Sequence, residues 1–179
     1  MNNLFIKKLL RKIHGGAYSV EELRSYGVHI GENCYIGIKH IDIAHGFLIF
    51  IGNNVTISSA RILTHDASTK RALGYSKVGA VYIGDNSFIG AGAIILPGVR
   101  IGADVIVGAG AVVARDIPDN SVVAGNPAQF ICHTDEYIEK YRREMSEGNT
   151  WHTHYAEKTE AEKLEMIQVL EHTRIGFDV

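Results

Sequence analysis

An all-β solenoid with helical appendages is the fold class this sequence predicts, on three observations. Branched aliphatics recur at every sixth position through Ile83, Ile89, Ile95, Ile101, Val107 and Val113. The residue after each is mostly small (Gly84, Gly90, Leu96, Gly102, Gly108, Ala114), and the fifth of each unit is small or apolar (Ser87, Ala93, Val99, Val105, Ala111, Ile117). The chain also holds 19 Gly but only 3 Pro in 179 residues, which suits many regular turns rather than a disordered linker.

A period of six fits neither a 3.6-residue helix nor a two-residue alternation. It fits a prism with short flat faces, in which one aliphatic side chain points inward per face and the small residue turns the corner. Three faces make a coil of about 18 residues. One coil cannot bury its own apolar face, so coils must stack, and residues 28–127 hold roughly five of them. A series of Gly-turn hairpins would instead alternate polar and apolar residues, and this segment does not. The predicted organisation is a helical segment over 1–27, the solenoid over 28–132 and a helical extension over 133–179.

At the N-terminus, Ile6, Leu9, Leu10 and Ile13 follow helical spacing, with Lys7, Lys8, Arg11 and Lys12 among them. Such a helix either docks on its own protein or makes a weak contact with an anionic membrane surface. It lacks the features of a secretory signal. Ser19-Val20-Glu21-Glu22 is a capping-box pattern that opens a short helix, and Gly27 is placed to end it. Early copies of the repeat follow at Ile30-Gly31, Ile36-Gly37 and Ile51-Gly52.

The count slips twice. Between Ile36 and Ile51 it shifts by three, across Lys39-His40-Ile41-Asp42-Ile43-Ala44-His45-Gly46. Between Leu63 and Ile83 it shifts by two, and the polar run from Thr64 to Lys77 must leave the wall as a loop. Loops on a rigid scaffold are where catalytic groups concentrate. His65 stands where the second loop departs. Neutral imidazole takes and returns a proton near pH 7, so His65 at this break is a candidate catalytic residue suited to acid–base chemistry. Asp66 is adjacent, but neighbours in extended chain point to opposite sides. Asp42 or a backbone carbonyl serves equally well to orient the ring.

Beyond the solenoid, Asp135 to Glu147 reads as a helix with acidic residues first and basic ones later. A capping box at Thr159-Glu160-Ala161-Glu162 opens another that runs to about Arg174. Trp151, His152 and His154 read as a packed connection between these helices rather than as a metal patch.

The repeats resemble the hexapeptide-repeat acyltransferases, and Asp116-Ile117-Pro118-Asp119-Asn120-Ser121-Val122-Val123-Ala124-Gly125-Asn126-Pro127-Ala128 looks like the ending of their last coil. The resemblance spans about residues 20–135 and implies a left-handed parallel β-helix. It implies acetyl-CoA as co-substrate, no metal, and a homotrimer with sites between subunits. It makes His65 the base that deprotonates the acceptor, and the backbone N–H of Ala91, after Ile89-Gly90, the oxyanion donor. Ala91, Ala109 and Ala114 match positions that lie along the pantetheine arm, where small side chains are needed. Relatives often carry serine at the Ala91 position, and arginines just past the Pro127 position hold the nucleotide phosphates. Here Gln129 and Cys132 stand there instead, so phosphate binding passes to Lys77, His133, Arg142 or Arg143. Asp42, His40 and Asp66 are the expected acceptor-binding residues.

The neighbourhood Ile62-Leu63-Thr64-His65-Asp66-Ala67-Ser68 looks like the branch that O-acetylates sugars of surface polysaccharide or lipopolysaccharide. An amino-sugar N-acetyltransferase is the near alternative. A zinc hydratase of the carbonic anhydrase kind would use His40, His45 and His65 across a trimer, but its expected glutamate and glutamine partners are not evident. A non-catalytic scaffold would not need so long a polar loop.

Composition sets the outer bounds. Net charge is −2, so no basic field advertises nucleic acid. No apolar run approaches the ~18 residues of a membrane span. Cys34 and Cys132 suit reduced thiols, and with acetyl-CoA they point to the cytoplasm.

Overall fold

The computed structural model describes residues 16–179, and they fall into two compact units that divide between Thr134 and Asp135. The basic amphipathic stretch, residues 6–13, lies outside the described residues.

The first unit is a parallel solenoid with three faces. His29–Ile30, Ile49–Ile51, Val81–Ile83 and Arg100–Ile101 form one face. Tyr35–Gly37, Thr56–Ser58, Phe88–Ile89, Ile106–Val107 and Ser121–Ala124 form the second, and His40–Ile41, Arg61–Ile62, Ile94–Ile95 and Val112–Val113 the third. In the regular part every strand pairs with the one 18 residues on: Tyr82 with Arg100, Phe88 with Ile106, Ile94 with Val112. The second residue of each pair points inward. Ile57, Ile62, Ile89, Ile95, Val107 and Val113 are fully buried, each contributing about 1.5–3 kcal/mol relative to exposure.

The corner between the first and second faces has its own chemistry. Asn33, Asn54, Asn86, Asp104 and Asn120 all adopt left-handed φ, between 55° and 57°, a conformation Asn and Asp tolerate better than other residues with a side chain. Their side chains form a ladder from coil to coil: Asn33 donates to Asn54 (3.3 Å), Asn54 to Asn86 (3.0 Å) and Asn86 to Asp104 (3.1 Å). Gly84 precedes such a corner. A Cβ there would lie 2.5 Å from the Gly102 carbonyl carbon, so the coils approach too closely for any side chain.

The even count of six fails in two places. Ile62 rather than Leu63 is the fully buried residue of its face, because the second-to-third corner is one residue shorter in the early coils. After Val113 the spacing shortens again, and Ile117 bridges Ile101, so it takes the inward aliphatic place rather than the small corner position. The Asp116 carboxylate accepts from the Arg100 N–H at 2.8 Å. In the coil before, the Val99 carbonyl accepts from Tyr82 N–H in the same way. A side-chain oxygen thus replaces a backbone one where the coil is too short. Gln129–His133 then folds back antiparallel on Ser121–Ala124 and pairs the outer edge of the second face, a strand the repeat does not announce.

Ser19 accepts from the Glu22 N–H and caps helix Val20–Ser25, and Gly27 follows it with φ of 86°. Helix Thr134–Glu147 starts on the last residue of the first unit and otherwise belongs to the second, which also holds helix Glu160–Thr173. Thr159 and Glu162 form a complete reciprocal capping box, and Arg174 ends that helix in left-handed conformation. Trp151 belongs to a two-strand pairing of Thr150–Trp151 with Phe177–Asp178, and its ring covers Gly176. Lys158 is buried beneath them and pairs with Asp178 at 2.7 Å. Among the described residues no helix is long and apolar enough to cross a membrane.

Candidate active site

Both interruptions leave the solenoid at the same corner, between the third and first faces. In the lower coil the chain passes through two short 3-10 turns over Ile43–Leu48, which follow Asp42 and are separated by a kink at His45. One coil on, His65–Asp66 pairs antiparallel with Lys77–Val78, and the arm between carries a 3-10 turn over Ala67–Thr69 and a helical turn over Lys70–Leu73. The arm is closed at its root by Gly79 N–H donating to the Thr64 carbonyl at 2.9 Å.

Stacking brings the two interruptions together. Ile41 pairs with Ile62, so Asp42 lies beneath Leu63 and Thr64. The Asp42 carboxylate is only 7% exposed and takes three approaches on one oxygen, Oδ2. Thr64 Oγ1, fully buried, donates to it at 2.6 Å. His65 Nδ1 makes a short hydrogen bond to the same oxygen. His45 Nδ1 stands 3.6 Å away, and the two imidazole centroids are 5.4 Å apart. Burial pushes the Asp42 carboxyl up, but the hydrogen bonds from Thr64 and His65 and the charge of both imidazoles outweigh it, so the group titrates below its ordinary value. A carboxylate that stays ionised fixes the His65 tautomer with Nδ1 protonated and Nε2 free to accept a proton.

Asp66 turns the other way. It pairs with Lys77 at 2.6 Å, and its Oδ1 accepts from the Ser68 N–H. The Lys77 ammonium and the Ser68 contacts hold its carboxyl at about 2. Two clefts result. One, of about 290 Å³, is lined by His40, Asp42, Arg61, Leu63 and His65. The other, of about 450 Å³, is lined by Asp66, Lys77, Leu96, Pro97, Gly98 and Ala114.

The expected site residues therefore separate into three groups. His65, Asp42 and His40 share one cleft; Asp66, Lys77 and Ala114 share its neighbour. Ala91 and Ala109 lie at a different corner, between the second and third faces, one above the other and joined by Gly110 N–H donating to the Ala91 carbonyl at 2.9 Å. His45 joins Asp42 and His65, their ligating atoms all within 4.8 Å of one another, while His40 is not in that cluster. The sequence places Thr64 only within the run around His65 and assigns it no contact with Asp42. The signal for it was the 21-residue register of the first two coils, which sets Asp42 one coil below Leu63 and Thr64.

Comparison with known proteins agrees with this architecture. Residues 80–115 match the family described as bacterial transferase hexapeptide (six repeats). Protein CapG of Staphylococcus aureus is 38% identical over 147 residues, 78% of this chain and 83% of that protein. A galactoside O-acetyltransferase of Lactococcus lactis subsp. lactis (strain IL1403) is 39% identical over 137 residues, covering 60% of this chain and 64% of its own length. The chain thus spans most of the first relative and just under two thirds of the second. Among solved structures, a maltose O-acetyltransferase from Clostridium difficile 630 superposes with a TM-score of 0.53 at 29% identity, covering 74% of this chain and 89% of that one.

Proposed function

The chain belongs to the hexapeptide-repeat acetyltransferases, and on that premise we propose that it moves the acetyl group of acetyl-CoA onto a sugar hydroxyl, with His65 as general base. The observation that carries the reading is the Thr64–Asp42–His65 hydrogen-bonded group at the root of the arm. Two relatives support a sugar hydroxyl as acceptor, since one is named for galactosides and the other for maltose.

The steps follow from that group. Ionised Asp42 accepts a hydrogen bond from His65 Nδ1–H, which keeps that proton on the ring and leaves Nε2 as the base. Nε2 takes the proton of the acceptor hydroxyl as its oxygen attacks the thioester carbonyl. A backbone N–H steadies the tetrahedral oxyanion, and Ala91 N–H is the candidate. The intermediate collapses by breaking the C–S bond, and the imidazolium returns its proton to the departing thiolate. Asp42 stabilises that imidazolium while it lasts.

Ala91 and Ala109 stand at another corner from His65, which favours a site completed by a second copy, hence a homotrimer with a site at each interface. The Lys77–Ala114 cleft adjoins the His65 cleft and is the candidate place for the CoA arm, with Lys77 towards its phosphates. The left-handed winding, the polysaccharide or lipopolysaccharide precursor as acceptor and the cytoplasmic location belong to the same proposal.

The test is thiol release from acetyl-CoA with a panel of galactosides, maltose and nucleotide sugars, wild type beside His65→Ala. Turnover that depends on one acceptor class and falls by about 10²–10⁴-fold in the variant, with mass and circular dichroism unchanged, is the expected result. Turnover indifferent to His65 would remove the base assignment.

A further inference from the structure

The carboxylate that orients His65 is approached by a second imidazole for which the transfer reaction has no use. Among the described residues, His45 Nδ1 is buried and has no hydrogen-bond partner, since 3.6 Å to Asp42 Oδ2 is too long for one. A buried nitrogen left unpaired is costly unless something else occupies its lone pair. It points into a space bounded by one carboxylate oxygen and one further imidazole nitrogen, all three within 4.8 Å of one another. Two imidazoles and one carboxylate are the donor set of a borderline divalent ion such as Zn²⁺, with a fourth position left to water.

The spacing suits that use. Metal–ligand bonds of about 2.0–2.2 Å at tetrahedral angles set ligand atoms roughly 3.3–3.6 Å apart, a range that reaches the 3.6 Å between His45 Nδ1 and Asp42 Oδ2. The His65–Asp42 pair is closer because a proton lies between them. His65 is 42% exposed on its arm, so its ring has room to withdraw. Thr64 keeps Asp42 anchored throughout from its buried position.

We propose that Asp42, His45 and His65 form an inhibitory site for Zn²⁺ or a similar ion, in which the metal replaces the proton shared by His65 and Asp42. The consequence for activity rests on His65 being the base. With the ion on Nδ1, the displaced proton passes through solvent to Nε2. The ring then carries N–H where the acceptor proton must go, and it has no lone pair to receive it. No oxidation and no net proton release accompany the exchange. The metal switches the transferase off by fixing the wrong tautomer, so the same three side chains serve opposite ends according to what occupies their centre.

The experiment uses the full chain, freed of metal with a chelator. Co²⁺ is titrated while its visible absorption is followed, and acetyl transfer is measured in parallel against added Zn²⁺. The expected result is one Co²⁺ per chain with the intense spectrum of a four-coordinate nitrogen and oxygen site, displaced by Zn²⁺. Transfer should be lost over the same Zn²⁺ range, restored by chelator and unaffected by Mg²⁺. His45→Ala and, separately, Asp42→Asn should each weaken Co²⁺ binding by about 100-fold or more, since even a partner outside the ligand set costs about 10–100-fold. A sulfur-to-cobalt charge-transfer band, which would place the ion on Cys34 or Cys132, overturns the proposal. So does Co²⁺ binding that neither variant changes, and so does measurable transfer that saturating Zn²⁺ leaves unaffected. Co²⁺ bound as described in a chain that transfers no acetyl group sustains the metal site and instead overturns the transferase reading.

Discussion

Residues 81–113 and the two slips at 42–48 and 64–80 were made from the same chain under opposite rules. In the regular coils each strand repeats the one 18 residues before it, so every inward position meets another branched aliphatic and every corner meets another corner. No side chain there is singled out as an acid or a base, and what the coils offer to chemistry is backbone. At the slips the repeat is abandoned and the chain leaves the wall, yet both excursions depart from one corner. The regular stack beneath them then does the positioning: Asp42 and Thr64 are 22 residues apart in sequence and 2.6 Å apart in space. Regularity supplies a ruler, and irregularity places functional groups along it.

That contrast makes substitutions in the two regions fail in different ways. His65→Ala should lower kcat/KM by about 10²–10⁴-fold and leave thermal unfolding nearly where it was, because a half-exposed side chain on an arm carries little of the core. Measuring both on one preparation decides it, and a large loss of stability would mean that the arm is part of the scaffold. Ile95→Ala should do the reverse. It removes a fully buried side chain and should cost about 2–5 kcal/mol in denaturant unfolding, with activity retained in the fraction that remains folded.

Two glycines give a finer comparison. Gly84→Ala forces a methyl group against the backbone of the next coil and should cost about 1–3 kcal/mol or more. Gly74→Ala meets open space, and only its left-handed φ of 77° opposes it, for about 1–2 kcal/mol. Equal losses in the two variants would contradict the close approach of the coils.

The smallest effect concerns the Asp66–Lys77 pair that closes the arm. Asp66 titrates at about 2 against an ordinary 3.8. A carboxyl whose folded value is depressed stabilises the fold above its unfolded value and loses that contribution as pH falls toward the folded one. Hydrogen exchange at Lys77 and Val78 should therefore be steady down to about pH 4, once the intrinsic pH dependence is divided out, and rise between about pH 4 and 2. In Asp66→Asn the exchange should be raised throughout and no longer step across that window.

Much of this was legible in the residues. Periodic aliphatics at 83, 89, 95, 101, 107 and 113 required an inward row, and the solenoid followed because a coil that cannot bury itself must stack. The two cap patterns located helix starts to the residue, since each rests on a Ser or Thr side chain accepting from an N–H three residues on. His65 stood out as the group at a break. The partner of His65 was legible only as a choice among Asp66, Asp42 and a backbone carbonyl. Extended backbone turned Asp66 toward Lys77, while Asp42 came from another coil, where the shift of three makes the register 21 instead of 18. Ile117 shows the same limit: its distance from Val113 reads as a corner position, and only pairing with Ile101 makes it an inward one. The closing strand Gln129–His133 has no repeat of its own and forms because the last coil offers an unpaired edge. Periodicity and caps are written in neighbouring residues, so local chemistry settles them. Which carboxylate meets which imidazole depends on how many residues each coil spends, and that sum is fixed only when the coils close on one another.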